Sequence, residues 1–144
     1  RKRSLHEGGI RVPGIVEWPR KIKSGTVIDA PCFTSDYFPT IAKILDIELD
    51  KYKRPFDGQD LQPYWSKQKD IRDKPLAFYF KKNYALIDNE FKFMGGENEK
   101  SRLYNLVTDP SEQVDISIQY PKKFKSLSKI YQKWYNSVQK SNLE

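Results

Sequence analysis

Tyr84-Ala85-Leu86-Ile87-Asp88-Asn89-Glu90-Phe91-Lys92-Phe93-Met94 sets the fold class. Two runs rich in apolar and aromatic residues flank Asp88-Asn89, a pair suited to a tight turn, so the stretch reads as a β-hairpin. Gly95-Gly96 ends that hairpin, and Ser101–Leu106 supplies a further short strand before the turn Thr108-Asp109-Pro110. Upstream, Leu76-Ala77-Phe78-Tyr79-Phe80 is also strand-like. Downstream, Pro121 opens a long helix whose Phe124, Leu127, Tyr131, Trp134 and Val138 recur at steps of three and four. Lysines between Lys122 and Lys140 occupy the rest of that helix.

The first half is built differently. Ile10–Trp18 is β-branched and apolar and reads as a strand interrupted by Pro13-Gly14, since proline gives no ladder donor. Ser35-Asp36 reads as a helix start, with Tyr37, Phe38, Ile41, Ile44 and Leu45 following at helical spacing and Pro39 tolerable in the first turn. Residues 47–62 are loop-like, punctuated by Pro55 and Asp57-Gly58. Strand and helix, a linker, antiparallel strands and a terminal helix make an α+β arrangement.

Composition narrows the classes. A chain of 144 residues with 14% aromatics has the makings of a folded domain rather than a disordered one. No apolar run approaches the ~18 residues of a bilayer span, so no membrane partner is expected. A single cysteine excludes an internal disulfide and a cysteine-based zinc cluster. The balance of 26 Lys and Arg against 19 Asp and Glu leaves a net charge of +7. That charge admits a basic nucleic-acid binder. Against it, Tyr131 and Trp134 share the apolar stripe of the terminal helix, where they cannot stack on bases, and its lysines read as a solvated face; no nucleic-acid partner is expected. The opening Arg1-Lys2-Arg3-Ser4, without Met or an apolar leader, reads as the interior of a longer chain.

Lys2-Arg3-Ser4-Leu5-His6-Glu7-Gly8-Gly9-Ile10-Arg11-Val12-Pro13 resembles the lysine-containing segment of type I sulfatases, the formylglycine-dependent arylsulfatase family of the alkaline-phosphatase-like superfamily. There a lysine stands five residues before Glu-Gly-Gly, followed by a hydrophobic residue, an arginine and often a proline. The likeness continues in family order. Trp18-Pro19 comes next, then Ser35-Asp36-Tyr37-Phe38-Pro39-Thr40 at a helix start. Asp57-Gly58-Gln59-Asp60-Leu61 is similar to a D-G-x-S-L turn, with Asp60 where serine is common. Ala85–Met94 is similar to the hairpin, with Ile87 where the family often has arginine. Leu103–Glu112 is similar to L-Y-D-L-x-x-D-P-x-E.

The resemblance implies a fold: the end of an α/β sulfatase domain plus a C-terminal antiparallel sheet of about four strands with a packed terminal helix. In those terms residues 1–48 are the end of the catalytic domain, 49–59 a linker and 60–144 the C-terminal subdomain. It also implies a parent that hydrolyses sulfate esters on a sulfated glycan or aryl sulfate, using calcium and a formylglycine. Cys32, followed by Phe33-Thr34-Ser35, does not fit the family's C-x-P-S-R nucleophile motif. This chain is therefore expected to hold no metal and to be inactive alone.

By the same resemblance Lys2 is the sulfate-binding lysine, whose ammonium would stabilise charge on the sulfate oxygens; a solvated terminal lysine is the plainer alternative. Lys81 and Lys82 are candidates for recognising a polyanionic glycan, or simply a charged hairpin tip. Tyr84 and His6 join them as substrate-rim candidates, His6 also reading as pocket wall. Gly8-Gly9 suits a tight bend, with Glu7 and Arg11 expected to form an ion pair across it. The expected partners are an upstream sulfatase segment or a second copy, because an unpaired apolar strand at 10–18 invites pairing, and the sulfated substrate. The compartment stays open: many members of the family are exported, but no signal for export stands in this sequence. The competing class is a non-catalytic module for anionic glycan binding or assembly.

Overall fold

A computed structural model describes residues 4–51 and 56–141. Lys2 and the Pro55 turn lie outside the described residues. The chain gathers into two compact units, one of the residues up to Pro13 with Ala77 onward, the other Gly14–Leu76.

The first unit contains most of a four-stranded sheet in the order β1-β2-β3-β4, with β1 Leu76–Phe80, β2 Asn83–Asp88, β3 Phe91–Gly96 and β4 Glu99–Asn105. It is a meander. The hairpin forms as the sequence predicts, β2 and β3 running antiparallel with Ala85 opposite Met94 and Asp88 opposite Phe91. Asn89 takes the positive φ, 54°, that a tight turn needs and that asparagine tolerates. Gly95 and Gly96 end the hairpin, as expected, and do so as paired residues at the close of β3, opposite Tyr84 and Asn83. Their bareness is used for close approach: a Cβ on Gly95 would lie 2.7 Å from the Tyr84 hydroxyl, and one on Gly96 2.1 Å from Asn83 Oδ1.

Alternation gives the sheet two faces. Leu86, Phe93 and Leu103 form a core with Leu127 and Tyr131 of the terminal helix α4, Pro121–Ser141. The helical stripe read from the sequence is therefore the packed face, and Phe124 and Trp134 extend it; Tyr135 joins them as a further contact. The opposite sheet face carries Ala85, Met94 and Tyr104, against which Leu5 and Phe78 pack. Both faces of β2–β4 are covered.

In the second unit a 3-10 turn at Thr34–Asp36 leads into α2, Tyr37–Ile44, as the Ser35-Asp36 start implies. Its burial is inverted. Asp36, Pro39, Thr40 and Ala42 face inward, whereas Ile41 and Leu45 are 55% and 62% exposed. A short helix α3, Gln62–Trp65, follows, with Leu61 and Tyr64 buried. The strand expected over Ile10–Trp18 does not form: Ile10 ends a helical turn and residues 11–18 adopt no regular structure. Pro13 interrupts the ladder donors, the described residues offer this segment no strand partner, and Ile15 is 94% exposed.

Candidate functional site

Residues 5–10 are held on the sheet by an apolar contact and by buried charge. Leu5 packs into the Ala85–Met94–Tyr104 cluster. The expected bend at Gly8-Gly9 is a single helical turn, α1 Glu7–Ile10, with the Gly9 and Ile10 amides donating to His6 O at 2.8 and 3.2 Å. Glu7 does not pair with Arg11. Its Oε1 lies 3.0 Å from Lys92 Nζ, a contact that reaches from α1 across to β3.

Lys92 is completely buried, on the Leu5 side of the sheet, opposite Ile87 and Tyr104. A buried ammonium needs an anion, and two are supplied: Glu7, and Glu112 with its Oε1 2.7 Å away. The other oxygen of Glu112 accepts the Glu7 amide at 2.7 Å and stands 3.1 Å from His6 Nδ1. One carboxylate thus holds the backbone and, through Lys92, the side chain of the same residue.

The loop after β4 is shaped to present that carboxylate. Asn105 Oδ1 accepts the Val107 and Thr108 amides at 2.9 and 3.1 Å. Asp109 Oδ2 accepts those of Gln113 and Val114, each at 2.8 Å. Glu112 itself adopts φ 56° and donates its amide to Asp109 O. The stretch Leu103–Glu112 is therefore a folding unit that turns Glu112 inward. Asp115 continues it, accepting Leu103 and Ser117 amides at 3.1 and 2.9 Å. Burial pushes the Asp115 carboxyl up, but those amides and the charge of Lys100 outweigh it and leave it below the usual range.

A second buried ion pair organises the other unit. Arg72 grips Asp36 through two guanidinium nitrogens at 2.8 and 2.7 Å. Asp36 also accepts the Phe33 amide at 2.7 Å and the Gln59 amide at 2.9 Å. Thr40 donates to Asp36 O and accepts the Leu61 amide. The Asp36–Thr40 and Asp57–Leu61 motifs are thereby one hydrogen-bonded structure, and Gly58 permits it, since a Cβ there would lie 2.1 Å from Ser35 O. Partial burial and the Asp36 charge push the Cys32 thiol up, against Arg72, which is the reverse of what activates a cysteine nucleophile.

The remaining candidates are dispersed. His6 is half-exposed beside Glu112. Lys81 and Lys82 form the two-residue turn between β1 and β2, both at positive φ, 49° and 69°. Lys81 lies over the Phe80 ring and Lys82 pairs with Glu97 at 2.5 Å. Tyr84 is on the α4 side, stacked on Tyr131 at 4.2 Å and hydrogen-bonded to Ser101 at 2.6 Å. Among the described residues no group of three or more His, Cys, Asp and Glu side chains could hold a metal, and no described helix is long and apolar enough to cross a membrane.

Lys92, Glu112, Asp36 and Arg72 were not legible as a set. The one available signal was Lys92 itself, a lone lysine in Phe91-Lys92-Phe93-Met94 on a face otherwise built of Ala85, Ile87 and Met94.

The family model for the C-terminal region of N-sulphoglucosamine sulphohydrolase matches residues 1–140. The chain belongs to this family. Human steryl-sulfatase is 43% identical over 74 residues, covering 51% of this chain and 12% of that protein. The N-acetylgalactosamine-6-O-sulfatase of Bacteroides thetaiotaomicron is 25% identical over 144 aligned positions, covering 90% and 28%. A crystal structure of Ps i-CgsB superposes with a TM-score of 0.71 at 22% identity, covering 81% of this chain and 27% of that one. The structure of BT4656 in complex with its substrate D-glucosamine-2-N,6-O-disulfate gives 0.65 at 21% identity, covering 88% and 28%. These structures establish that the α+β fold of this sulfatase C-terminal family member is a shared one. The chain spans between 12% and 28% of the length of the two relatives named.

Proposed function

We propose that the protein containing this chain hydrolyses sulfate esters, on a sulfated glycan or an aryl sulfate, and that this chain supplies the sulfate-binding lysine and part of the substrate rim. The observation that carries the proposal is the family match across residues 1–140, which includes the Lys2-to-Pro13 segment. The relatives' names add esters on a hexosamine and a steroid as the substrate chemistry to try first.

The role of Lys2 follows from charge. Cleaving an S–O bond leaves negative charge on the departing oxygen and the sulfate, and a fixed ammonium lowers the energy of that arrangement more than that of the ground state. His6, Lys81, Lys82 and Tyr84 are proposed rim residues. The two lysines are the better placed of these, being exposed at a turn, while the Tyr84 hydroxyl is engaged by Ser101.

Calcium and formylglycine are proposed for the parent and not for this chain. Cys32 has neither the nucleophile motif nor an activating environment, which supports assigning the formylglycine to the parent's upstream segment. The partner proposed for the exposed apolar residues Ile15, Ile41 and Leu45 is the upstream sulfatase segment, or failing that a second copy.

The test is Lys2→Ala in the full-length parent, assayed on 4-nitrophenyl sulfate and on sulfated hexosamines. Loss of one transition-state charge contact lowers kcat by ~10²–10³-fold. Unchanged kcat would remove Lys2 from the reaction. A purely glycan-binding module, by contrast, would retain heparin while releasing no sulfate.

A further inference from the structure

We propose that Glu112, acting through Glu7 and Lys92, is a positioning residue for the Lys2 segment. The inference rests on the sulfatase reading above and deepens it, because it concerns how the lysine is aimed rather than whether one is used.

Three features of the cluster point to aiming rather than to packing alone. Glu112 contacts Glu7 twice over, directly at the backbone amide at 2.7 Å and indirectly through Lys92 Nζ, 2.7 Å from Glu112 and 3.0 Å from Glu7. Two restraints on one residue fix the rotation of α1 as well as its position. Next, the restraint is rigid on the sheet side. Lys92 is fully buried within β3, and Glu112 is presented by a loop whose amides are taken up by Asn105 and Asp109. Finally, the tether to the reacting group is short. Leu5, the first packed side chain of the segment, is three residues from Lys2, a span of at most ~11 Å.

An apolar core at this place would hold α1 against the sheet but would let it slide, since dispersion contacts are non-directional. Charged hydrogen bonds have short, directed geometry. A displacement of about 1 Å at a charge that acts on the transition state can cost ~10²-fold in rate. Glu112 would thus set kcat without touching substrate.

A double-mutant cycle in the full-length parent tests this. Glu112→Gln keeps a carbonyl oxygen for the Glu7 amide and removes the charge that Lys92 needs. Alone it is expected to lower kcat on an aryl sulfate by ~10–100-fold. In a Lys2→Ala background it is expected to lower kcat by less than ~3-fold, because there is no longer a charge to aim. Equal effects in both backgrounds would mark Glu112 as a general structural residue and overturn the proposal. Glu7→Gln is the second variant should Glu112→Gln fold poorly; it leaves the backbone contact and removes the side-chain one, and the same non-additivity is expected of it. Hydrogen exchange at amides 7–11, read against those of 84–96, separates the two readings. Faster exchange at 7–11 with an unchanged hairpin is expected of either variant, and unaltered exchange overturns the anchoring. If the wild-type parent releases no sulfate while that exchange pattern is seen, the sulfatase reading fails and the anchoring stands.

Discussion

Individual residues carry most of the specification. Lys92 is the sharpest instance, because alternation along β3 assigns it to one face, yet whether that face is wet or covered depends on residues 5–10 returning to it from far away in sequence. Charge alone could not say that a lysine would be buried with two glutamates. The same holds for Arg72 and Asp36, 36 positions apart and joined by two hydrogen bonds at 2.8 and 2.7 Å. Breaking a buried pair by removing one member costs ~3–5 kcal/mol, so Arg72→Met should lower the stability of the Gly14–Leu76 unit by about that much in urea titration; a loss below ~1 kcal/mol would mean that Asp36 finds solvent. Asp115 gives a pH prediction. Its carboxyl lies below the usual range in the folded chain, so it stabilises fully above the unfolded value near ~4 and loses that contribution as pH falls through the folded one. Asp115→Asn should therefore cost stability at pH 7 and progressively less between ~pH 4 and pH 2, checked by thermal melts across that range. A deficit independent of pH would assign the effect to hydrogen bonding alone.

Elements were more legible than their surroundings. The β2–β3 hairpin follows from alternation and the Asp88-Asn89 turn, and α4 from an apolar stripe that the structure buries, with Leu127 fully enclosed. Leu127→Ala should cost ~2–5 kcal/mol in denaturant unfolding, and a value under ~1 would contradict its place in the core. The β1–β2 turn is different. Lys81 and Lys82 both hold positive φ, a conformation that Asn-Gly adopts more easily, and L residues there cost ~1 kcal/mol each. Replacing the pair by Asn-Gly should raise stability by ~0.5–2 kcal/mol and, on the rim proposal, raise KM for a sulfated glycan. A gain in stability with no change in KM would leave the lysines as a hairpin tip. Residues 11–18 failed as a strand for a reason composition cannot reveal: a strand is a property of two segments, and the described residues supply one.

At the scale of the whole molecule, local signals and motif order divide the work. Periodicity yields an α+β chain; the order of the lysine segment, the Asp36 helix start, the Asp57 turn, the hairpin and the Leu103–Glu112 stretch ties that chain to sulfatases, and the family match over residues 1–140 agrees. The structure then explains why several of those motifs have the residues they do. Asp36, Thr40 and Gly58 build one junction, and Asp109 and Glu112 build the anchor for α1. Exposed Ile15, Ile41 and Leu45 lead us to expect concentration-dependent association of the isolated chain in sedimentation, and a strictly monomeric profile with residues 10–18 well ordered would count against it. The most direct test of function is inorganic sulfate released from aryl and hexosamine sulfate esters, measured side by side for the full-length parent and for residues 1–144 alone. Release by the parent and none by the chain alone is the expected result; release by the chain alone, or none by the parent on any ester, would contradict it.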